Sequence, residues 1–252
     1  MSAAATGRDA GAPRVGLFVT CLVDAMKPSV GFASIRLLEA AGCEVVVPEG
    51  QTCCGQPGLN AGDSDTARRL ARQVLEQFED CDYVVVPSGS CAATLSHNAP
   101  ELFPGDGGER ARVEALAART YELTDFLVNV MHFEDVASRF TGTVTYHDSC
   151  SGLRTLGVRE QPRALLGRIE GVTLVEMTDA TRCCGFGGTF SIKYGDIATR
   201  MANDKCVDAT ATGADTIAAG DLGCLMNVEG RLRRRGDLST RVLHVAEILA
   251  WQ

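Results

Sequence analysis

An α/β fold in two pseudo-repeated halves, each a parallel sheet flanked by helices, is predicted by three observations on the sequence. Short apolar runs rich in Val, Leu and Tyr alternate with longer stretches of helical periodicity, the pattern of strands joined by crossover helices. The alternation occurs over residues 14–105 and again over 141–252, with residues 106–140 between them as a helical connection. The tripeptide Cys-Cys-Gly, unusual even once, appears in both stretches, as Cys53-Cys54-Gly55 and Cys183-Cys184-Gly185. A duplication accounts for all three.

In the first half, "RVGLFVT" (14–20) reads as a buried strand and residues 29–41 as an amphipathic helix ending at Gly42. "EVVVP" (44–48) is the next strand, and residues 64–80 form a helix with Ser or Asp at its start. "YVVVP" (83–87) is the third strand. Prolines and glycines make residues 98–112 a loop or boundary, and one or two helices run through residues 113–131. In the second half, strands are expected at 143–146, 172–177 and 215–220, and helices at 161–169 and 195–211. The last two segments, 225–235 and 241–252, read as helical. Residues 1–13, small and polar, lack the basic start and apolar core of a signal peptide and are expected to be a mobile tail.

The balance of 32 acidic against 24 basic residues, a net charge of −8, argues against nucleic acid as a partner. No run of about 18 apolar residues exists to span a membrane, so the expected location is cytoplasmic, peripheral to a membrane only through partners. Eleven cysteines then need explaining. A reducing compartment disfavours structural disulfides and brings metal binding or redox chemistry forward. An odd count also rules out full internal pairing.

The cysteines repeat in order and nearly in spacing. Cys21 ends a strand, 31 residues separate it from Cys53-Cys54, and 36 more lead to Cys91. Cys150 ends a strand, 32 residues lead to Cys183-Cys184, and 39 more to Cys224. Ligands of parallel α/β sheets gather at the carboxyl ends of the strands, so all eight should lie on that edge, four in each half. Thiolates brought together in fours from separate loops are ligands for iron–sulfur clusters or zinc. Zinc sites usually show close Cys-x2–4-Cys spacing, which is missing here. Directing two adjacent sulfurs at one centre needs a tight backbone that glycine eases, and glycine amides can point N–H groups at sulfur. No Walker or Rossmann spacing accompanies "CCGFGG".

Other residues have plain readings beside the chemical ones. Cys43, Cys81 and Cys206 fall outside the repeat and are read as small buried hydrophobes. His147 and Asp148 precede Cys150; they either tune the second site through hydrogen bonds or proton transfer, or only complete a strand-end turn. Ser88 and Ser90 could donate to cluster sulfurs or simply form a turn. His97, His132 and His244 look incidental, and Arg231, Arg233, Arg234 and Arg235 read as a helix-end cap.

The arrangement C-x31-CCG-x32-SGSC, repeated as C-x32-CCG-x35-DLGC, resembles the cysteine-rich CCG domain family. That family includes the heterodisulfide reductase B subunit and the iron–sulfur subunits of glycolate and lactate oxidation. "PEGQTCCGQP", "RTYELTDFLVNV" and "GCLMNVEGRL" are similar to its small lactate-oxidation branch. The resemblance implies iron–sulfur clusters, [4Fe–4S] in type and one or two per chain, held by Cys21, Cys53, Cys54 and Cys91 and by Cys150, Cys183, Cys184 and Cys224. It also implies electron transfer in the oxidation of L-lactate to pyruvate, within a complex whose other subunits include a ferredoxin-like iron–sulfur protein. The heterodisulfide reductase type carries a fifth cysteine per motif, where this chain has Ser88 and Asp221. Four thiolates per half suit an ordinary [4Fe–4S] cluster, or one with an oxygen ligand from Ser88 or Asp221, or a cluster in one half only. The competing classes are a thiol–disulfide redox subunit and a structural zinc protein.

Overall fold

The computed structural model describes residues 11–105 and 107–252; residues 1–10 of the expected tail lie outside the described residues. The first half runs β1 (Arg14–Leu17), α1 (Cys21–Met26), α2 (Pro28–Ala40), β2 (Glu44–Val46), α3 (Gln56–Ala61), α4 (Ser64–Phe78), β3 (Tyr83–Val86), α5 (Gly89–Ala93), α6 (Gly107–Ala117), β4 (Thr120–Glu122) and α7 (Leu123–Asp125). The second runs β5 (Gly142–Tyr146), α8 (Cys150–Leu156), α9 (Glu160–Leu166), β6 (Val172–Leu174), α10 (Thr189–Lys193), α11 (Gly195–Ala211), β7 (Thr216–Ala219), α12 (Leu222–Arg234), β8 (Arg241–His244) and α13 (Val245–Leu249). Each half is a four-stranded sheet, in the order β2-β1-β3-β4 and β6-β5-β7-β8, and every strand pair is parallel. Two pseudo-repeated α/β halves are therefore what the chain folds into. Among the described residues no helix is long and apolar enough to cross a membrane.

Burial explains why the inner strands form where they do. Val84, Val85 and Val86 of β3 are wholly buried, as expected of a parallel strand covered on both faces. The α4 helix turns Ala67, Ala71, Val74, Leu75 and Phe78 inward, and Asp63 caps its start by accepting from the Thr66 N–H at 3.0 Å.

Three readings need correction. Residues 120–122 and 241–244, both expected to be helical, are the fourth strands β4 and β8. Each is very short and runs directly into a helical turn, so the downstream helical pattern masks it. Among the described residues of 98–112 the loop is confined to 103–105: α5 continues through a π turn (Thr94–Asn98) and a 3-10 turn (Ala99–Leu102), and α6 begins at Gly107.

In each sheet the chain leaves the two inner strands in opposite directions, which opens a crevice at their carboxyl ends. The halves meet there about a pseudo-twofold axis that sets α1 against α12 and α5 against α8. Gly89 and Gly152 permit the second contact: a methyl on Gly89 would lie 2.9 Å from the Gly152 Cα. The Gly89 N–H also donates to the Gly220 carbonyl at 3.2 Å. One apolar cluster runs through both sheets, from Val15 and Leu17 to Val144 and Tyr146.

The ends of β4 and β8 carry a matched pair of buried caps. Glu122 Oε2 accepts from the Thr124 and Asp125 amides, and His244 Nδ1 accepts from the Ala246 amide. Each also reaches across the axis. His244 Nε2 meets the Pro87 carbonyl at 3.2 Å, whereas Glu122 Oε1, against Gly220, has no hydrogen-bond partner among the described residues. Burial pushes the Glu122 carboxyl from 4.5 up to about 7 and the His244 imidazole down to about 4.

The folded chain thus holds the Glu122 proton over a range in which the unfolded chain has released it. That contribution to stability is complete below about pH 4.5 and is lost as pH rises through about 7. Glu122→Gln, which cannot ionise, is expected to gain on the wild type by up to about 3 kcal/mol between pH ~5 and pH ~8. Urea denaturation at the two pH values measures it; an unchanged difference would mean that Glu122 ionises freely in the fold.

Candidate metal centre

The first group of cysteines is assembled from three crossover loops. Cys21 opens α1 behind the Thr20 cap, and Cys91 lies in α5, whose Ser88 cap accepts from the Cys91 amide at 3.4 Å. Cys53 and Cys54 precede α3. Gly55 stands between them and the helix at φ +92°, a left-handed conformation that costs glycine little. It turns the Gly55 amide back onto Cys53 Sγ, at 3.5 Å. Cys54 Sγ and Cys91 Sγ are 3.3 Å apart, and all four side chains line one cavity of about 140 Å³.

The second group repeats the first. Cys150 opens α8, Cys224 lies in the first turn of α12, and Cys183 and Cys184 precede Gly185 at φ +83°. The Gly185 amide returns to Cys183 Sγ at 3.4 Å. These four line a cavity of about 60 Å³. The structure therefore gathers all eight predicted cysteines into two groups of four, one per half, with none shared. Cys43, Cys81 and Cys206 are buried in the apolar clusters and line neither cavity.

The sulfurs form contact chains, Cys21–Cys53–Cys54–Cys91 and Cys150–Cys183–Cys184–Cys224. Hydrogen bonds from Cys21 and Cys54 favour a thiolate at Cys53 and push its pKa down. The Cys21 and Cys54 thiols are pushed up, first by donating to Cys53 and then by other thiols and burial. Cys150 is raised by its bond to Cys183 and by burial. At Cys184 the bond to Cys183 pulls downward, but the bond to Cys224 and burial prevail; at Cys224 burial prevails over its bond to Cys184. Sulfurs in contact cannot all ionise unless a cation sits among them.

Side chains around the second group differ from those around the first. His147, at the end of β5, is buried, and neither ring nitrogen has a hydrogen-bond partner among the described residues. One of its nitrogens and the sulfurs of Cys184 and Cys224 all lie within 4.8 Å of one another. Burial, and then the Lys205 charge, push its pKa to about 3 against the nearby Ala180 carbonyl, which leaves the neutral imidazole that can bind a metal. Asp148 is held in place: Arg163 grips its carboxylate at 2.8 and 3.0 Å and binds Glu176 with the same guanidinium.

Ser88 and Asp221 engage each other across the axis. Asp221 Oδ2 accepts from Ser88 Oγ at 3.1 Å and from the Ser90 amide at 2.9 Å. Asp221, Ser90, Gln56, Gly188 and the Phe186 ring line both cavities and form the wall between them. Sequence reasoning missed Gln56, Phe186 and Arg163. For Phe186 the only signal was its place between the glycines of "GFGG"; Arg163 gave none.

The residues present fit a small inorganic group with positive metal ions. The cavities fall below the about 300–1,000 Å³ of organic-ligand sites, soft thiols converge in fours, and a buried imidazole with no hydrogen-bond partner among the described residues lies beside two sulfurs of the second group. The family model described as CCG, cysteine-rich domain, matches residues 15–96 and 144–229, and each match holds one group of four. Lactate utilization protein A of Bacillus cytotoxicus is 45% identical over 94% of this chain and 98% of its own length. The protein of that name from Geobacillus thermodenitrificans is 48% identical over the same shares. A crystal structure titled a hypothetical protein from Helicobacter pylori aligns with 94% of this chain and 48% of its own, at TM-score 0.65 and 12% identity, a likeness of fold.

Proposed function

The chain belongs to the cysteine-rich CCG domain family, alongside proteins called lactate utilization protein A, and from that premise we propose that it is an iron–sulfur electron-transfer subunit of an L-lactate-oxidising complex. The observation that carries the iron–sulfur part is the pair of separate, semi-enclosed groups of four cysteines at the strand ends. A [4Fe–4S] cluster held by such a group supplies one-electron transfer at a potential set by burial and by hydrogen bonds to sulfur.

Cys21, Cys53, Cys54 and Cys91 would hold one cluster, and Cys150, Cys183, Cys184 and Cys224 the other. The Gly55 and Gly185 amides aim at Cys53 and Cys183 and offset their negative charge. Ser88 and Asp221, where related subunits carry a fifth cysteine, are committed to each other, which favours four-thiolate centres over thiol–disulfide chemistry. Lactate as the reductant rests on the name of the relatives. The remaining subunits, a ferredoxin-like iron–sulfur protein among them, would provide lactate oxidation and the path to the respiratory chain, with this chain cytoplasmic and reaching a membrane only through them.

Iron and acid-labile sulfide per chain, measured on anaerobically purified protein with EPR of both redox states, test this reading. About eight of each with a redox-responsive signal is expected for two clusters, and about four would leave one half occupied. Zinc, or no metal, would overturn it. The isolated chain should not oxidise lactate, and robust turnover would remove the subunit role.

A further inference from the structure

An imidazole buried with both nitrogens unpaired is costly, about 1–3 kcal/mol for each polar group left without a partner. Among the described residues neither His147 nitrogen makes a hydrogen bond; the nearby Ala180 carbonyl already accepts from Lys205 and Asp148, and the charged neighbours are spoken for. The Lys205 amine donates to the Asp179 and Ala180 carbonyls at 2.7 and 3.2 Å. Asp148 is held by Arg163. What the ring does adjoin is the second group of cysteines: a nitrogen and the sulfurs of Cys184 and Cys224 lie within 4.8 Å of one another. Donor atoms bound to one tetrahedral metal ion stand roughly 3.5–4 Å apart, given bond lengths of about 2.0–2.3 Å. The nitrogen is therefore within reach of a metal centre held by those sulfurs.

Among the described residues the first half has nothing comparable. Counting back three residues from Cys150 gives His147, and three back from Cys21 gives Phe18, whose ring stacks at 5.9 Å on Phe78 in the apolar core. Two otherwise matched groups of thiols therefore differ by one nitrogen donor.

We propose that His147 ligates the metal centre of the second cavity through a ring nitrogen, so that one chain carries an all-thiolate centre and a mixed nitrogen–sulfur centre. This rests on the iron–sulfur reading of the two cysteine groups. A neutral nitrogen adds no negative charge to a centre held by four thiols, whereas a thiolate in its place would add one and lower the potential.

The test is ENDOR on the anaerobically purified holoprotein, unlabelled and grown with ¹⁵N-histidine, in its paramagnetic state, with iron counted on the same samples. A strong nitrogen coupling that changes with the label is expected in the wild type. It should vanish in His147→Phe, which copies the first half, and in His147→Gln, which keeps a polar side chain there. A redox titration of His147→Cys should move one of two transitions to lower potential and leave the other in place. An iron–sulfur signal with no histidine coupling, or a coupling that survives both replacements, would overturn the ligand while leaving the clusters. Protein without iron would overturn the clusters and the ligand together. The wild-type spectrum decides the matter even if a variant fails to fold.

Discussion

Replacing Cys53 with alanine is expected to remove about half of the bound iron, and replacing Cys183 the complementary half, with the double variant close to empty. The two groups of sulfurs line different cavities that share a wall but no cysteine, so loss of one centre leaves the donors of the other in place. Cys53 and Cys183 are suited to the test because each accepts the amide of its own glycine and is only partly buried. Truncation there leaves a small cavity rather than a disrupted core. Iron and sulfide analysis read the result, and circular dichroism confirms that the fold survives. Total loss from either single replacement would mean that the eight thiols serve one shared centre.

Gly185→Ala should be the most damaging single methyl that can be added near the site. Gly185 has φ +83°, and a Cβ would lie 2.7 Å from the Ala198 carbonyl and 2.9 Å from Met201 Cβ. The left-handed backbone alone costs an L-residue about 1–2 kcal/mol, and crowding against the α11 backbone adds about 1–3 kcal/mol. A loss of about 3 kcal/mol or more is expected in denaturant titration, with metal lost from the second cavity first. The mirror replacement Gly55→Ala is the control. It carries the same backbone cost, but its nearest contact is the Ala67 carbonyl at 3.4 Å, so about 1–2 kcal/mol is expected. Equal losses at the two glycines would refute the argument from α11.

The sequence revealed those parts of the fold that repeat or are buried on both faces. The inner strands were legible because Val84–Val86 and their counterparts are continuous apolar runs, and the cysteines because each copy of the motif validates the other. The edge strands β4 and β8 were not, since three or four residues before a helix leave no period to read. The Gly89–Gly152 contact and the Phe186 wall depend on how two halves distant in sequence come together, which no local pattern encodes. His147 was visible only as one of two equal readings. What separates them is its missing hydrogen-bond partners, a fact of packing rather than of spacing.

The Ser88–Asp221 hydrogen bond could not exist between two separate, identical copies of one half. In a symmetric dimer a residue near the axis meets its own duplicate, so Asp would confront Asp and Ser would confront Ser. Fusion into one polypeptide lifts that constraint. Each ancestral position becomes two, free to take complementary roles: donor and acceptor at 88 and 221, acid and imidazole at 122 and 244, ring and ligand at 18 and 147. Covalent linkage therefore gives this chain a polarity that self-association of a half-length protein would forbid.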